Sequence, residues 1–311
     1  MQKLISIIIP NYNHESFLHK RLETVLEQTY QKIEIIILDD ASSDNSLTIL
    51  NNFKNHPKVS HFIINEKNSG SPFIQWGKGI NLAKGDLIWI AESDDFSDLF
   101  FLEKSITLFN QDEKLSLVFC NSNLQNLYLK SDKISNSTTK TGVYENTNNN
   151  FLYNWFFKNS EFRILNASSC VFKKNVIDNS VLSIIKKHRY SGDKLFWASI
   201  LLKNPKFGYI SEPLNFHTFH ENTTRSKSTI TSNSIRNKEI LEIYDYCGFL
   251  KTIFKDSDQK KEIGFRLLMY AVYEFILNKN LKVKQFFKGL YFIQWNKPTF
   301  GKLYRNIMLD K

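Results

Sequence analysis

The 311-residue chain is 42% hydrophobic and 14% aromatic and carries a formal net charge of +10. That apolar content can supply the core of one large domain or two modest ones, which excludes an intrinsically disordered protein. The three cysteines, Cys120, Cys170 and Cys247, lie far apart, so the sequence predicts neither a zinc site nor a disulfide scaffold and favours a reducing cytosol.

The first ninety residues alternate between short β-branched runs and segments with apolar residues at helical spacing. The runs predict four strands, at 4–9, 33–38, 59–64 and 87–91. The segments between them predict three helices, the second capped by Ser42, Ser43 or Asp44 and the third over 73–83. Strands this apolar are typical of a mostly parallel sheet that helices cover on both faces, so we expect an α/β fold.

Polar residues follow three of the predicted strands. They lie at 10–13, 39–40 and 92–95, and the last group holds three acids. Because ligands bind beyond the carboxyl ends of strands in open α/β sheets, we expect these groups to converge on one crevice. Neighbouring carboxylates repel each other, and they are good ligands for hard cations that also bind substrate phosphates. The sequence therefore predicts Mn²⁺ or Mg²⁺ held together with a diphosphate.

Two common nucleotide-binding motifs are absent from the sequence. No G-x-G-x-x-G follows the first predicted strand, which argues against a dinucleotide cofactor, and no G-x-x-x-x-G-K-[ST] occurs, which argues against a P-loop. The apolar runs fall far short of the ~20 residues that span a bilayer, and no signal peptide is expected. We therefore expect a cytoplasmic protein.

Four segments carry a resemblance to a known family. In chain order they are "SIIIPNYN", "ILDDASSDNS", "NSGSPFIQWGKGINLAKGDLIWIAESDD" and "GDKLFW". Together they resemble the family 2 glycosyltransferases, which have the GT-A fold. The resemblance implies a transferase domain over 1–225, with a nucleotide-sugar-binding half at 1–95 and an acceptor half at 96–225. It also implies metal-assisted, inverting transfer from a nucleotide diphosphate sugar, with UDP expected, to a glycan or lipid-linked acceptor in surface polysaccharide synthesis.

The resemblance assigns the donor site residue by residue. Pro10, Tyr12 and Asn13 match the loop against the nucleobase, with the Tyr12 ring stacking on the base. Asp40 matches the carboxylate that accepts from the base N–H, and Lys78 matches a basic residue near the sugar or diphosphate. The structural alternatives are a rigid turn with a packed tyrosine, a helix-capping aspartate and a surface lysine.

The same resemblance places the metal at the end of the fourth strand. Asp94 and Asp95 match the paired acids of the family. One of the pair reaches the ribose of the donor or the metal, and the other coordinates the metal. Which residue has which role stays open. Glu92 stands where many relatives have Asp. His220 is a further candidate ligand, because imidazole suits Mn²⁺ better than Mg²⁺. Thr218 replaces an arginine, so any diphosphate contact from that position is lost.

The catalytic base is expected at Asp193. An inverting transferase needs one group that takes the acceptor's hydroxyl proton, and Asp193 matches that position in the family. Many relatives have Glu-Asp where this chain has Gly192 and Asp193. The structural alternative is that Asp193 caps the helix predicted over 194–202. A Gln-x-x-Arg-Trp motif is absent, which favours a single transfer per acceptor over processive synthesis.

The remaining segments are less specific. A polar stretch at 131–150 predicts a mobile loop, and 170–177 predicts a strand returning to the sheet. Residues 226–311 lie outside the resemblance and predict a helical extension. Between 279 and 311, eight Lys or Arg accompany one acid, interleaved with aromatics. That composition suits peripheral contact with an anionic inner membrane face, and an ordinary solvated helix is the alternative; no nucleic-acid partner is expected.

The same residues bear on two rival functions. A metal-dependent nucleotidyltransferase would need a glycine-rich basic loop after the first strand, and "PNYNHESF" has neither glycine nor a paired basic residue. A non-catalytic nucleotide-sugar-binding protein would be expected to have lost the acid pair or Asp193, and all three acids are present. The sequence therefore favours the transferase.

Overall fold

The computed structural model describes residues 2–127, 131–134, 137–157, 160, 162–220 and 242. Almost all of these belong to the first of two compact units, Met1–Ser226. The helical extension predicted for 226–311 and its basic stretch lie outside the described residues, apart from residue 242. Within the described part of the chain, no helix has the length and apolarity required to cross a bilayer.

Ten described strands form one mixed sheet. They are β1 (Ile5–Asn11), β2 (Ile33–Asp39), β3 (Val59–Ile64), β4 (Leu87–Ile90), β5 (Phe96–Ser97), β6 (Leu117–Asn126), β7 (Ser131–Ile134), β8 (Gly142–Glu145), β9 (Cys170–Lys173) and β10 (Lys206–Phe219). Seven α-helices accompany them within the same ranges. They are α1 (Glu15–Leu26), α2 (Ser46–Asn51), α3 (Pro72–Leu82), α4 (Phe101–Gln111), α5 (Asn150–Phe157), α6 (Asn179–Ile185) and α7 (Gly192–Lys203).

The strand order confirms the predicted α/β fold. The order along the sheet is β3-β2-β1-β4-β9-β6-β10-β5, and the first four strands are parallel. Strand β9 is antiparallel to both of its neighbours, β4 and β6, which confirms that this segment returns to the sheet. Because β1, β2 and β4 run in the same direction, the loops that follow them share one edge of the sheet.

Apolar side chains on both faces of the sheet hold the helices. All seven residues of β1 are buried, and its alternate residues Ile5, Ile7 and Ile9 belong to the same core as Leu18 and Leu22 of α1. On the opposite face, α3 lies so close to β1 that a Cβ added at position 79 would be 2.4 Å from Ile8 Cγ2. The glycine at position 79 therefore permits the close approach of α3 to the sheet.

Three sequence-based expectations need correction. Strand β1 runs to Asn11, two residues past the predicted end, because Pro10 and Asn11 pair with β2. Helix α2 begins at Ser46 with Asn45 as the N-cap, because Ser42 and Ser43 are engaged in the loop before it; of the three predicted caps, only Asp44 bonds to the helix, where its Oδ1 accepts from Ser46 N at 3.0 Å. The stretch predicted as a mobile loop contains β7 and β8; β8 pairs with β10, and the ring of Tyr144 stacks on that of Phe207 at 5.9 Å.

One long strand carries several residues near the acidic loop. Strand β10 pairs with β6 over most of its 14 residues, and the register shifts on either side of Pro213. A shift of this kind changes which face of the sheet the following side chains point toward. Beyond Pro213, Asn215, His217 and Thr218 lead directly to His220, which follows the last residue of β10.

Candidate active site

The loops after β1 and β2 are tied together by hydrogen bonds. The Asp39 carboxylate is 1% exposed and accepts from Asn11 Nδ2 at 2.8 Å and from Ser42 Oγ at 2.6 Å. Asn13 adopts a positive φ of 56°, and its Oδ1 accepts from Ser43 N at 2.7 Å. Asp39 and Asn13 therefore fix the shape of this turn, and the predicted caps Ser42 and Ser43 belong to it.

Asp40 lies at the centre of a second cluster. Its carboxylate is buried and accepts from Asn65 Nδ2 at 2.6 Å, Gln75 Nε2 at 2.8 Å and both the amide and hydroxyl of Ser69, at 3.0 and 2.8 Å. Lys78 joins the same cluster, because its Nζ donates to Asn65 Oδ1 at 2.7 Å. The structure thus places Lys78 on the network that holds Asp40 at the end of β2.

Tyr12 and Pro10 differ sharply in exposure. Pro10 is buried inside β1, where it pairs with Leu38, so it acts as part of the strand. Tyr12 is 41% exposed, among the most exposed large hydrophobic side chains in the described part of the chain. An exposed aromatic ring at the ligand-binding edge of a parallel sheet has a face available for a flat ligand.

Asp94 stands between two histidines at the end of β4. His220 Nε2 is 3.2 Å from Asp94 Oδ2, and His14 Nε2 is 3.9 Å from the same oxygen. His14 is held by a 2.7 Å hydrogen bond between its Nδ1 and Ser93 Oγ. One ligand atom from each of His14, Asp94 and His220 lies within 4.8 Å of the others. Two imidazoles and a carboxylate at this spacing fit a divalent transition-metal ion.

The charge state of Asp94 suits such a role. Burial raises the pKa of the Asp94 carboxyl, but His14, His220 and His217 together outweigh it and hold this pKa well below its usual range. The carboxyl is therefore ionised at neutral pH, as a metal ligand must be.

Asp95 has different partners from its neighbour. It is 3% exposed, and its Oδ2 accepts from Asn166 Nδ2 at 2.6 Å. Its Oδ1 accepts from the amide of Thr218 at 3.1 Å and lies 3.1 Å from His217 Nδ1. Oδ1 thus connects the loop after β4 to β10, whereas Oδ2 connects it to the segment that precedes β9. Asp95 is outside the group of side chains that converge around Asp94.

Glu92 and Arg21 meet at the start of the acidic loop. Glu92 Oε1 accepts from Trp76 Nε1 at 2.7 Å, and Arg21, which is 0% exposed, donates to the Glu92 carbonyl and to Ser168 Oγ. Burial, reinforced by the Asp94 charge, raises the pKa of Glu92 to about 8. Burial lowers the pKa of Arg21 to about 10, against the nearby carboxylates, so the guanidinium stays charged at neutral pH.

Asp193 lies in the first turn of α7, and its N-cap is Ser191, so the capping alternative is wrong. Its Oδ1 is buried and has no hydrogen-bond partner among the described residues. The preceding Gly192 explains the departure from Glu-Asp, because a Cβ there would lie 2.8 Å from Phe73 Cε2. The Phe73 ring fills the space that a larger residue at position 192 would need.

An aromatic cluster positions α7 relative to the acidic loop. Trp76 of α3, which donates to Glu92, contacts the rings of Phe196 and Trp197 of α7 at 5.8 and 6.2 Å between centroids. Phe172 of β9 contacts the same two rings at 5.3 Å. Trp76 is 2% exposed and therefore belongs to the core.

Three residues of the site were missed in the sequence. His14 directly follows the polar turn after β1, so its position beside Asn13 was a usable signal. Arg21 shares the buried stripe of α1 with Leu18 and Leu22, and an arginine in an apolar stripe indicates a buried partner. Asn166 gave no comparable signal.

The chain is similar to known proteins in sequence and in fold. The sequence profile of the family described as Glycosyl transferase family 2 matches residues 6–181, more than half of the chain. An uncharacterized glycosyltransferase of Haemophilus influenzae is 36% identical over 140 residues, covering 45% of this chain and 54% of that protein. The chain therefore spans about half of the length of this relative.

Two staphylococcal proteins match over longer stretches. The poly(ribitol-phosphate) beta-N-acetylglucosaminyltransferase TarP of Staphylococcus aureus is 23% identical over 288 residues, 90% of this chain and 84% of that protein. The crystal structure of S. aureus TarS 1-349 in complex with UDP-GlcNAc aligns with a TM-score of 0.64 at 17% identity, covering 93% of this chain and 80% of that one. This second match shows a shared GT-A fold. The family profile, which covers more than half of the chain, establishes that the chain belongs to the family 2 glycosyltransferases.

Proposed function

We propose that this chain transfers a sugar from a nucleotide diphosphate sugar to an acceptor hydroxyl, with inversion at the anomeric carbon and with a divalent cation. The observation that carries the proposal is the convergence of Asp94 and His220, with His14 beside them, at the ligand-binding edge of the sheet. An ionised carboxylate and an imidazole are suitable protein ligands for Mn²⁺ that also binds the oxygens of a diphosphate.

The loops after β1 and β2 form the donor half of the proposed site. Tyr12 supplies an exposed ring for stacking on the base, and Pro10 and Asn13 hold the turn that presents it. In this proposal Asp40 accepts from the base N–H, and Lys78 contributes a positive charge through the network that holds Asp40. The UDP-GlcNAc complex of TarS supports a UDP-sugar as the donor.

Asp94 and His220 hold the cation in this proposal. Asp95 holds the loop after β4 against β10. A bound divalent cation offsets the negative charge that develops on the diphosphate leaving group. The buried Arg21 stabilises the acidic loop from below, so the loop can keep its carboxylates together before a ligand arrives.

Asp193 is the proposed base. Its buried Oδ1, which has no partner among the described residues, accepts the acceptor's hydroxyl proton while that oxygen attacks the anomeric carbon. The bond between the sugar and the diphosphate breaks on the opposite face of the ring, which gives inversion. The nucleoside diphosphate leaves with the bonding electron pair.

Replacing Asp193 by Asn tests this assignment. Turnover, followed as nucleoside diphosphate release from UDP-sugars with a glycan acceptor, should fall by roughly 10²–10⁴-fold, the usual contribution of a general base. Calorimetric affinity for UDP should stay within about twofold, because Asp193 does not bind the nucleotide. Asp178→Asn is a matched control, because Asp178 caps α6 and should leave turnover unchanged.

Several outcomes would contradict the proposal. Full turnover in Asp193→Asn would remove this residue from the base role. Donor binding without any nucleoside diphosphate release, across acceptors, would indicate the non-catalytic alternative. Formation of a nucleotide sugar from a nucleoside triphosphate, with pyrophosphate release, would indicate the nucleotidyltransferase alternative.

The acceptor and the cellular location extend the proposal. The names of TarP, with its poly(ribitol-phosphate) acceptor, and of a Campylobacter jejuni GalNAc(5)-diNAcBac-PP-undecaprenol beta-1,3-glucosyltransferase, 24% identical over 309 residues, support our proposal of a glycan or lipid-linked acceptor in surface polysaccharide synthesis. We propose a cytoplasmic enzyme with a transferase domain at 1–225, and an extension at 226–311 whose basic residues contact an anionic membrane. In a flotation assay with anionic liposomes, the full chain should rise with the liposomes, and a chain ending at residue 278 should stay at the bottom. Equal flotation of the two would contradict the membrane contact.

A further inference from the structure

We propose that His14 is a third protein ligand of the cation and that the resulting pair of imidazoles makes the site select Mn²⁺ over Mg²⁺. This inference rests on the proposed function, because it concerns the cation of the same site. It adds a ligand that the sequence motifs did not assign, and it predicts which metal the site prefers.

The orientation of His14 favours ligation. Its Nδ1 is engaged with Ser93 Oγ at 2.7 Å, so its Nε2 faces Asp94, 3.9 Å from Oδ2. His220 Nε2 approaches the same oxygen at 3.2 Å. Ligand atoms around one ion, at bond lengths of about 2.1 Å, lie about 3–4 Å apart. Both distances fall within that range.

Packing holds both imidazoles in place. The His220 ring lies 4.5 Å from the Phe17 ring of α1, and the His14 ring meets the His220 ring edge to face at 5.4 Å. His220 is 6% exposed, and His14 is partly buried where the chain enters α1. The two rings are therefore positioned by protein contacts, which lowers the entropy lost when an ion binds.

The available donors determine the metal preference. Asp95, the other carboxylate of the pair, uses both oxygens for Asn166, His217 and the Thr218 amide. That leaves one carboxylate and two imidazoles in the group around Asp94. Mg²⁺ favours oxygen ligands, whereas imidazole nitrogen suits Mn²⁺ and the later transition ions.

The first experiment measures metal binding by the full chain without a donor. Free Mn²⁺ is followed by its electron paramagnetic resonance signal, and Mg²⁺ is measured by competition. His14→Gln should weaken Mn²⁺ binding by at least roughly 10–100-fold. That is the usual loss of metal affinity when a residue that only supports a metal ligand is replaced, and the loss of a ligand should be no smaller. Mg²⁺ binding should change much less, so the preference for Mn²⁺ should shrink. His19→Gln is the matched control: His19 is an exposed histidine of α1, the helix that follows His14, and its replacement should leave both affinities unchanged.

A second measurement separates a ligand from a supporting residue and does not depend on any variant folding. Electron spin-echo modulation of Mn²⁺ bound to the unaltered chain should show two imidazole ¹⁴N nuclei, and His14→Gln should show one. A single ¹⁴N nucleus in the unaltered chain, or wild-type Mn²⁺ affinity in a folded His14→Gln, would overturn the inference. Sugar transfer together with unaltered Mn²⁺ binding in the variant would contradict the role of His14 and leave the proposed function intact. Two ¹⁴N nuclei without any sugar transfer would support the role of His14 and contradict the proposed function.

Discussion

The guanidinium of Arg21 donates from Nε to the carbonyl oxygen of Glu92 at 2.8 Å, directly beneath the acidic loop after β4. Arg21 is fully buried, and its charge lies near Glu92, Asp94 and Asp95. The repulsion within this group of acids is therefore balanced partly inside the protein, before any cation binds.

Removing that buried charge should destabilise the fold. We expect Arg21→Met to lower the free energy of unfolding by about 3–5 kcal/mol. This is the usual cost of removing one partner from a buried group of opposite charges. Urea denaturation with and without Mn²⁺ measures the change. Lys187→Met, which removes an exposed charge, should change stability by less than about 0.5 kcal/mol. A stable Arg21→Met protein would show that the acids do not need this counter-charge.

Glu92 should make the stability of the metal-free protein depend on pH. Its pKa is about 8 in the folded protein, against an ordinary value of 4.5, so folding takes up a proton between these values. The stability from this group is full below about pH 4.5 and is lost as the pH rises through 8, with a slope of at most about 1.4 kcal/mol per pH unit. Unfolding in chelator from pH 5 to 9 should show a steeper decline for the wild type than for Glu92→Gln. Parallel curves would contradict the raised pKa.

The Gly192–Phe73 contact gives a third prediction. Gly-to-Ala within a helix usually stabilises by roughly 0.5–1 kcal/mol. Gly192→Ala should instead destabilise by about 1–3 kcal/mol, because the added Cβ would lie 2.8 Å from the Phe73 ring. Phe73→Leu should make the alanine tolerable, so a double-mutant cycle should give a favourable coupling energy between the two changes. Additive effects would show that the ring moves aside without cost.

The two buried thiols should be inert. Burial raises the pKa of Cys120 and Cys170 well above the ordinary range, so neither forms the reactive thiolate in the folded protein. Iodoacetamide labelling followed by peptide mass spectrometry should modify both only when urea unfolds the chain. Labelling in native buffer would indicate local opening of the sheet at β6 and β9. Cys247 lies outside the described residues, and alkylation of added glutathione in the same sample confirms that the reagent is active.

The position of the site was predictable from the sequence because its signals are local. A β-branched run followed by acids identifies the end of β4, and this places Asp94 at the ligand-binding edge. His14 lies one residue beyond the polar turn at 10–13, which was predicted to lie at the same edge. Extending that turn by one residue would have included His14.

The connections between the loops were not predictable in the same way. Arg21 meets Glu92, and Asn166 meets Asp95, each across 71 residues of sequence. Such pairs depend on the strand order, in which β9 lies between β4 and β6. The distinct partners of Asp94 and Asp95 follow from these tertiary contacts, so neighbouring acids of one motif could not be separated by their spacing.

The register shift around Pro213 restricts how this chain can vary in length. Beyond it, His217 and the Thr218 amide hold Asp95, and the strand leads to His220, so an insertion or deletion of one residue between 214 and 219 would turn the side chains on its two sides to opposite faces. A substitution along the strand alters single contacts. A change in the number of residues would remove the contacts with Asp95 and displace His220 from Asp94 together. Homologues that keep the chemistry should therefore show gaps before this segment or after it, and none within it.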